Sequence, residues 1–287
     1  MTESTDRNSL LRAMAGVVAN AAVLTALLVY FGWVRIAEQA RWLGVDESLF
    51  RVSTREYLLR SVRPVLILLI AVGAAGLVWV GLDHWLSGRI AARTARDPVV
   101  RWTLRGLLVA VVLLPLSVWL ARPLWPAATY VAFPLALGAA MLLLLYVLRV
   151  RQSTGEDVPF SASRDVVVRA SAALLIGICL FSAAANYARV EGRGLARGFL
   201  ADLHLQPQVV VYSAQHLHID APGAVEEELS AENSAYLYRY VGLRLLEYTN
   251  DTYFLVSEDW SPGYGVVVVL PDDAMRVELV RDVRGGP

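Results

Sequence analysis

The chain has 287 residues, of which 56% are hydrophobic and only 18% charged, and its mean hydropathy is +0.49. That composition belongs with integral membrane proteins and excludes an ordinary water-soluble enzyme. The formal net charge of zero joins two opposite parts: 21 arginines against 12 acidic residues up to Leu200, then 5 against 14.

An acidic C-terminal part repels phosphate, which excludes nucleic acid as its partner. All 26 basic side chains are arginine, so no lysine Schiff base or phosphate-loop lysine is available. The one cysteine, Cys179, has no partner for an intrachain disulfide and sits in an apolar run, where a thiol behaves as a small hydrophobe.

The first apolar run, 13–34, carries no charge and is about 33 Å long as a helix, enough to cross the hydrocarbon core. Ala19-Asn20-Ala21 imitates a signal-peptide cleavage site, but apolar sequence continues to Phe31, which favours a retained span. Tyr30 and Trp33 fall where an interfacial aromatic belt is expected. A charged loop follows, in which Ser53 and Glu56 have capping-box spacing for a short helix ahead of Pro64.

The second span, 64–82, has a patch of small residues from Ala71 to Gly76, which predicts close packing against other spans. The next loop carries Arg89, Arg93, Arg96, Arg101 and Arg105 against the single acid Asp97. The third span, 106–121, contains Pro115. The tight turn Arg122-Pro123-Leu124-Trp125-Pro126 then makes a helical hairpin with the fourth span, 127–148, which contains Pro134. Prolines are tolerated in spans where a neighbour satisfies the freed carbonyl. Ser163 is placed to cap the fifth span, 166–188.

Five spans put the chain ends on opposite sides. The arginine-rich second loop argues for a cytoplasmic N-terminus and an extracytoplasmic C-terminal domain at a bacterial plasma membrane. An amphipathic linker, 189–206, then leads to a soluble domain, 207–287. There 209–212, 215–219 and the alternating Tyr236, Tyr238 and Tyr240 read as short strands. Asn250-Asp251 is a hairpin turn, and Pro271-Asp272-Asp273-Ala274 is a turn between two more strands. The fold class expected is therefore a five-span all-α transmembrane bundle followed by a small, mainly antiparallel β-domain.

Few residues suggest chemistry. On an extended strand His216, His218 and Asp220 share one face, the best metal-like spacing present, with His204 a further candidate ligand. The plainer reading is an exposed face above buried Leu217 and Ile219. Glu226-Glu227-Glu228 and Asp272-Asp273 are read as solvated loop carboxylates, without the spacing of a calcium loop. Arg169 snorkels from the fifth span, and Asn20 and Asn186 are inter-helix hydrogen-bonding groups. No nucleophile elbow, Walker loop, dinucleotide fingerprint or His-Glu-x-x-His helix occurs, so no catalytic residue and no cofactor is assigned.

Tyr30-Phe31-Gly32-Trp33-Val34-Arg35, Tyr57-Leu58-Leu59-Arg60-Ser61, Gly242-Leu243-Arg244-Leu245-Leu246 and Val269-Leu270-Pro271-Asp272-Asp273 together resemble a family of multi-spanning membrane proteins from actinobacteria. The resemblance implies the membrane setting and brings no activity to any residue. The function expected is display of the β-domain for binding, sensing or scaffolding, with the bilayer and an envelope protein or a second copy as partners. A transporter or channel with the proline-bearing spans lining a path, and a metal-dependent envelope enzyme using His216, His218 and Asp220, are the alternatives.

Overall fold

A computed structural model describes residues 3–50, 52–90, 98–153, 162–230, 234–261, 263–273 and 275–280. Among these residues six α-helices come first: α1 (Glu3–Leu43), α2 (Thr54–Arg60), α3 (Val62–Ile90), α4 (Pro98–Leu120), α5 (Pro126–Ser153) and α6 (Ala162–Ala201). Six strands follow: β1 (Gln208–Ser213), β2 (Val225–Glu228), β3 (Tyr238–Thr249), β4 (Thr252–Ser257), β5 (Val267–Pro271) and β6 (Met275–Val280).

Among the described residues five helices contain a stretch long and apolar enough to cross a membrane: Ala22–Leu43, Val62–Gly81, Arg101–Leu120, Pro126–Arg151 and Val166–Ala201. With 41 and 40 residues, α1 and α6 are about 60 Å long, roughly twice the hydrocarbon thickness. Helix α6 does not stop at Ala188; it continues through Gly192 and Gly194 to Ala201.

The chain divides into two compact units; two of the three divisions fall inside these long helices and the third at the end of α2. One unit holds Met1–Phe31 and Arg60–Val190; the other holds Gly32–Leu59 and Glu191–Pro287.

In the helical unit, Phe31, Val65, Ala184 and Ala185 form one buried cluster, with Phe181 against the rings of Tyr30 and Phe31 at 5.1 and 5.4 Å. Alanines on α6 let α1 approach closely, and the aromatic rings fill the remaining space. A second cluster joins Leu104 of α4 to Tyr146, Val147 and Val150 of α5, with Trp79 of α3 edge-on to Tyr146 at 5.4 Å. The small-residue patch of α3 is not packed as expected: a Cβ on Gly73 or Gly76 would meet nothing within 4 Å. Small residues permit close approach but do not by themselves bring a partner.

In the other unit the sheet is antiparallel, in the order β5-β4-β3-β1-β6, with β2 on β3. Strand β3 is long enough to pair with β2 along its first half and with β4 along its second. Gly242 stands at the junction with φ +82°, and a Cβ there would strike the carbonyl of Gly223. Register shifts between Val209 and Val211 and between Leu245 and Glu247 add twist.

Strands β5 and β6 lie on opposite edges, yet only three residues separate them. Four Cα steps reach at most about 15 Å, whereas four strand spacings of a flat sheet need about 19 Å. The sheet must therefore curl towards a barrel. Its concave side buries Val209, Val211, Tyr240, Leu243, Leu255 and Leu270.

The Asn250-Asp251 hairpin is present, with φ of +49° and +55°, the double left-handed geometry of a tight β-hairpin. Two expectations for this part need correcting. Residues 215–219 are not a strand, since His218 has φ +50° and breaks the alternation. Glu226-Glu227-Glu228 is not a loop; it belongs to β2, and two of its carboxylates are engaged.

Candidate functional site

The second face of the sheet explains why residues 32–59 belong to the same unit. Period-two alternation puts Phe254 and Leu246 opposite the concave core. Ala40, Val45, Phe50 and Val52 cover them, and the rings of Phe50 and Phe254 lie 4.7 Å apart. The Asn250 amide also donates to the Phe50 carbonyl at 3.4 Å. Within this covering segment Asp46 accepts from the Ser48 amide at 2.9 Å, and hydrogen bonding from Ser48 holds the Asp46 carboxyl below the usual carboxylate range.

The capping box forms as the spacing predicts. The Ser53 amide donates to Glu56 Oε2 at 3.1 Å and the Glu56 amide to Ser53 Oγ at 3.4 Å, which starts α2. Beside this start, Ser53, Arg55, Glu56, Leu59, Thr249 and Asn250 line an open cleft of about 410 Å³. It offers one cation, one carboxylate and three neutral polar groups, a mixed surface suited to polar recognition.

Between the outer turns of α1 and α6 lies a charge cluster. Arg193 Nε donates to Glu38 Oε1 at 2.6 Å, Arg41 approaches the other Glu38 oxygen at 3.5 Å, and Arg35 pairs with Glu191 at 3.7 Å. The Glu38 and Glu191 side chains are each only 7% exposed. Gly192 makes the approach possible, because a Cβ there would collide with the Arg35 carbonyl. One turn further out, the Arg197 guanidinium stacks over Trp42 at 4.4 Å.

The predicted histidine site is only partly assembled. The rings of His216 and His218 lie 3.8 Å apart, but His216 Nε2 pairs with Glu226 Oε1 at 2.6 Å, and Asp220 is exposed. Tyr238 stands edge-on to His216 at 5.0 Å. The Leu217 amide donates to the hydroxyl of fully buried Tyr240 at 2.7 Å. Burial pushes the Tyr240 phenol up, and the Glu226 carboxylate adds to the effect. Among the described residues no three His, Cys, Asp or Glu side chains come together as metal ligands.

At the far hairpin the Tyr248 hydroxyl donates to Asp272 Oδ2 at 2.8 Å. That bond, with burial and the charges of Asp272 and Asp251, pushes the Tyr248 phenol up to about 12. Of the other singled-out residues, Arg169 is exposed on α6, Asp273 is exposed, and the side chain of Asn20 lies outside those described. Sequence reasoning missed Glu226 as the partner of His216 and Glu38 as the partner of Arg193. The first is a pairing across a turn; the second is 155 residues apart and had no local signal.

Five membrane-length apolar helices followed by a curled antiparallel sheet define a helical membrane protein with a small β-unit. Comparison with known proteins finds no matching family model, no similar curated protein and no similar solved structure.

Proposed function

We propose that the chain is a multi-pass protein of a bacterial plasma membrane that displays its sheet-bearing unit outside the cell for binding or sensing, as a scaffold and not as an enzyme. The observation that carries this is the shared core of Phe50 and Phe254. Two segments packed in one water-exposed unit must be separated by an even number of crossings, and four candidate spans lie between them. One further candidate span precedes residue 50, which puts the N-terminus on the opposite side. The basic second loop sets that side as the cytoplasm.

The unit that results is acidic and carries the open cleft at Arg55 and Asn250. Its partner on this reading is an envelope protein or a second copy of the chain.

The topology is tested with single cysteines at the exposed positions Leu49 and Tyr264, in a Cys179→Ala background, labelled in intact cells with a membrane-impermeant maleimide. Both label from outside if the reading holds. Labelling from opposite sides removes its basis. Photo-cross-linking from Arg55 of the full chain then tests for a partner, and the absence of any cross-linked protein or dimer would count against display for binding.

A further inference from the structure

In the helical unit one guanidinium is held by neutral groups alone. Arg189 NH1 donates to Asn186 Oδ1 at 2.9 Å and lies 3.5 Å from the Tyr130 hydroxyl. No carboxylate of the described residues lies within ion-pair distance of it. Asn186 is itself fixed, since its amide donates to the Tyr130 carbonyl at 2.8 Å. That carbonyl is the one that Pro134, which has no N–H, leaves without its helical donor.

The depth of the group follows from the chain. If α4 and α5 cross the membrane, the turn 121–125 that joins them lies at the surface. Tyr130 is four residues beyond Pro126, about 6 Å along the axis. Asn186 meets α5 at that level, and Arg189 is close to one turn nearer the surface on the antiparallel α6. This is headgroup depth, where the exposed Trp125 and Arg122 of the turn also sit. A guanidinium there, without a carboxylate, retains donors on Nε and NH2, and its planar fork matches two phosphate oxygens. The Tyr130 hydroxyl can give its proton to the same anion.

We propose that Arg189, positioned by Asn186 and Tyr130, binds a phosphate group at headgroup depth. A phospholipid and a free phosphate ion share that chemistry, and the depth assigns the lipid. The inference rests on the membrane-spanning reading above.

The test uses the delipidated full chain in mild detergent, titrated with dioleoylphosphatidylglycerol, with dioleoylglycerol and with inorganic phosphate, with bound adducts followed by native mass spectrometry. Phosphatidylglycerol adducts are expected on the wild type and weakened by about tenfold or more in Arg189→Gln, the equivalent of one charge-assisted hydrogen bond. Arg189→Lys retains part of the binding, since it keeps the charge and loses the fork. Tyr130→Phe also weakens it, and dioleoylglycerol binds all variants equally.

Equal phosphatidylglycerol binding by wild type and Arg189→Gln overturns the site. Should Arg189→Gln fail to fold, wild-type affinity in both Arg189→Lys and Tyr130→Phe overturns it instead. Inorganic phosphate that competes at equal concentration overturns the assignment to lipid. Release of the full chain from membranes by alkaline carbonate would sink the spanning reading, a result separable from all of these.

Discussion

At the scale of single residues, the buried charges give the sharpest expectations. The Glu38 carboxylate is 7% exposed whereas its partner Arg193 is 40% exposed, so the two truncations are not equivalent. Arg193→Gln leaves a buried carboxylate whose remaining ion-pair partner among the described residues is Arg41, and is expected to cost roughly 3 kcal/mol. Glu38→Gln lets Arg193 turn to water and costs about 1 kcal/mol. Denaturant unfolding in detergent compares them, and equal costs would mean that Glu38 is already well solvated.

Tyr248 makes a pH prediction. Its hydrogen bond to Asp272 favours the neutral phenol in the folded state, raising the pKa from 10 to about 12. The linked stability is fully present below the unfolded value near 10 and is lost as the pH climbs towards 12. Ultraviolet titration should show one phenolate appearing near pH 12, absent in Tyr248→Phe and shifted towards 10 in Asp272→Asn.

At the scale of elements, Pro134 and Asn186 form a matched pair. The proline leaves the Tyr130 carbonyl of α5 without its donor, and the Asn186 amide of α6 takes its place. Asn186→Leu should therefore destabilise the α5–α6 packing by about 1 kcal/mol. Pro134→Ala restores the backbone donor, so the double variant should lose less than the sum of the singles. A double-mutant cycle by unfolding in mixed micelles measures the coupling, and strict additivity would show that the carbonyl is satisfied in another way.

The junction of β2 and β4 on β3 has a similar local requirement. Gly242 needs its positive φ and the space of a missing Cβ, so Gly242→Ala should weaken the sheet unit by several kcal/mol, seen as a lost β signal in circular dichroism.

At the scale of the whole molecule, residues 32–59 belong with the sheet, so a fragment beginning at Pro207 exposes Phe254. Phe50→Ala in the full chain is expected to cost about 3–5 kcal/mol, the usual loss for a buried aromatic. Protease resistance of the C-terminal strands reports it. Unchanged resistance would show that the sheet stands without its cover.

What the sequence determined by itself was whatever is carried by local pattern. The membrane-length apolar runs, the capping box at Ser53 and Glu56, the α4–α5 hairpin and the Asn250-Asp251 turn all depend on neighbours within a few residues. The histidine segment was legible only as a cluster, because its strand reading assumed an alternation that His218 breaks.

Tertiary structure alone decided the rest. Which carboxylate meets His216, which arginine meets Glu38, which residue serves the Tyr130 carbonyl and which loop covers Phe254 are pairings of distant positions. Each side chain has many chemically adequate partners along the chain. Only the packing of backbone segments at a few ångströms selects among them, and periodicity contains no record of that choice.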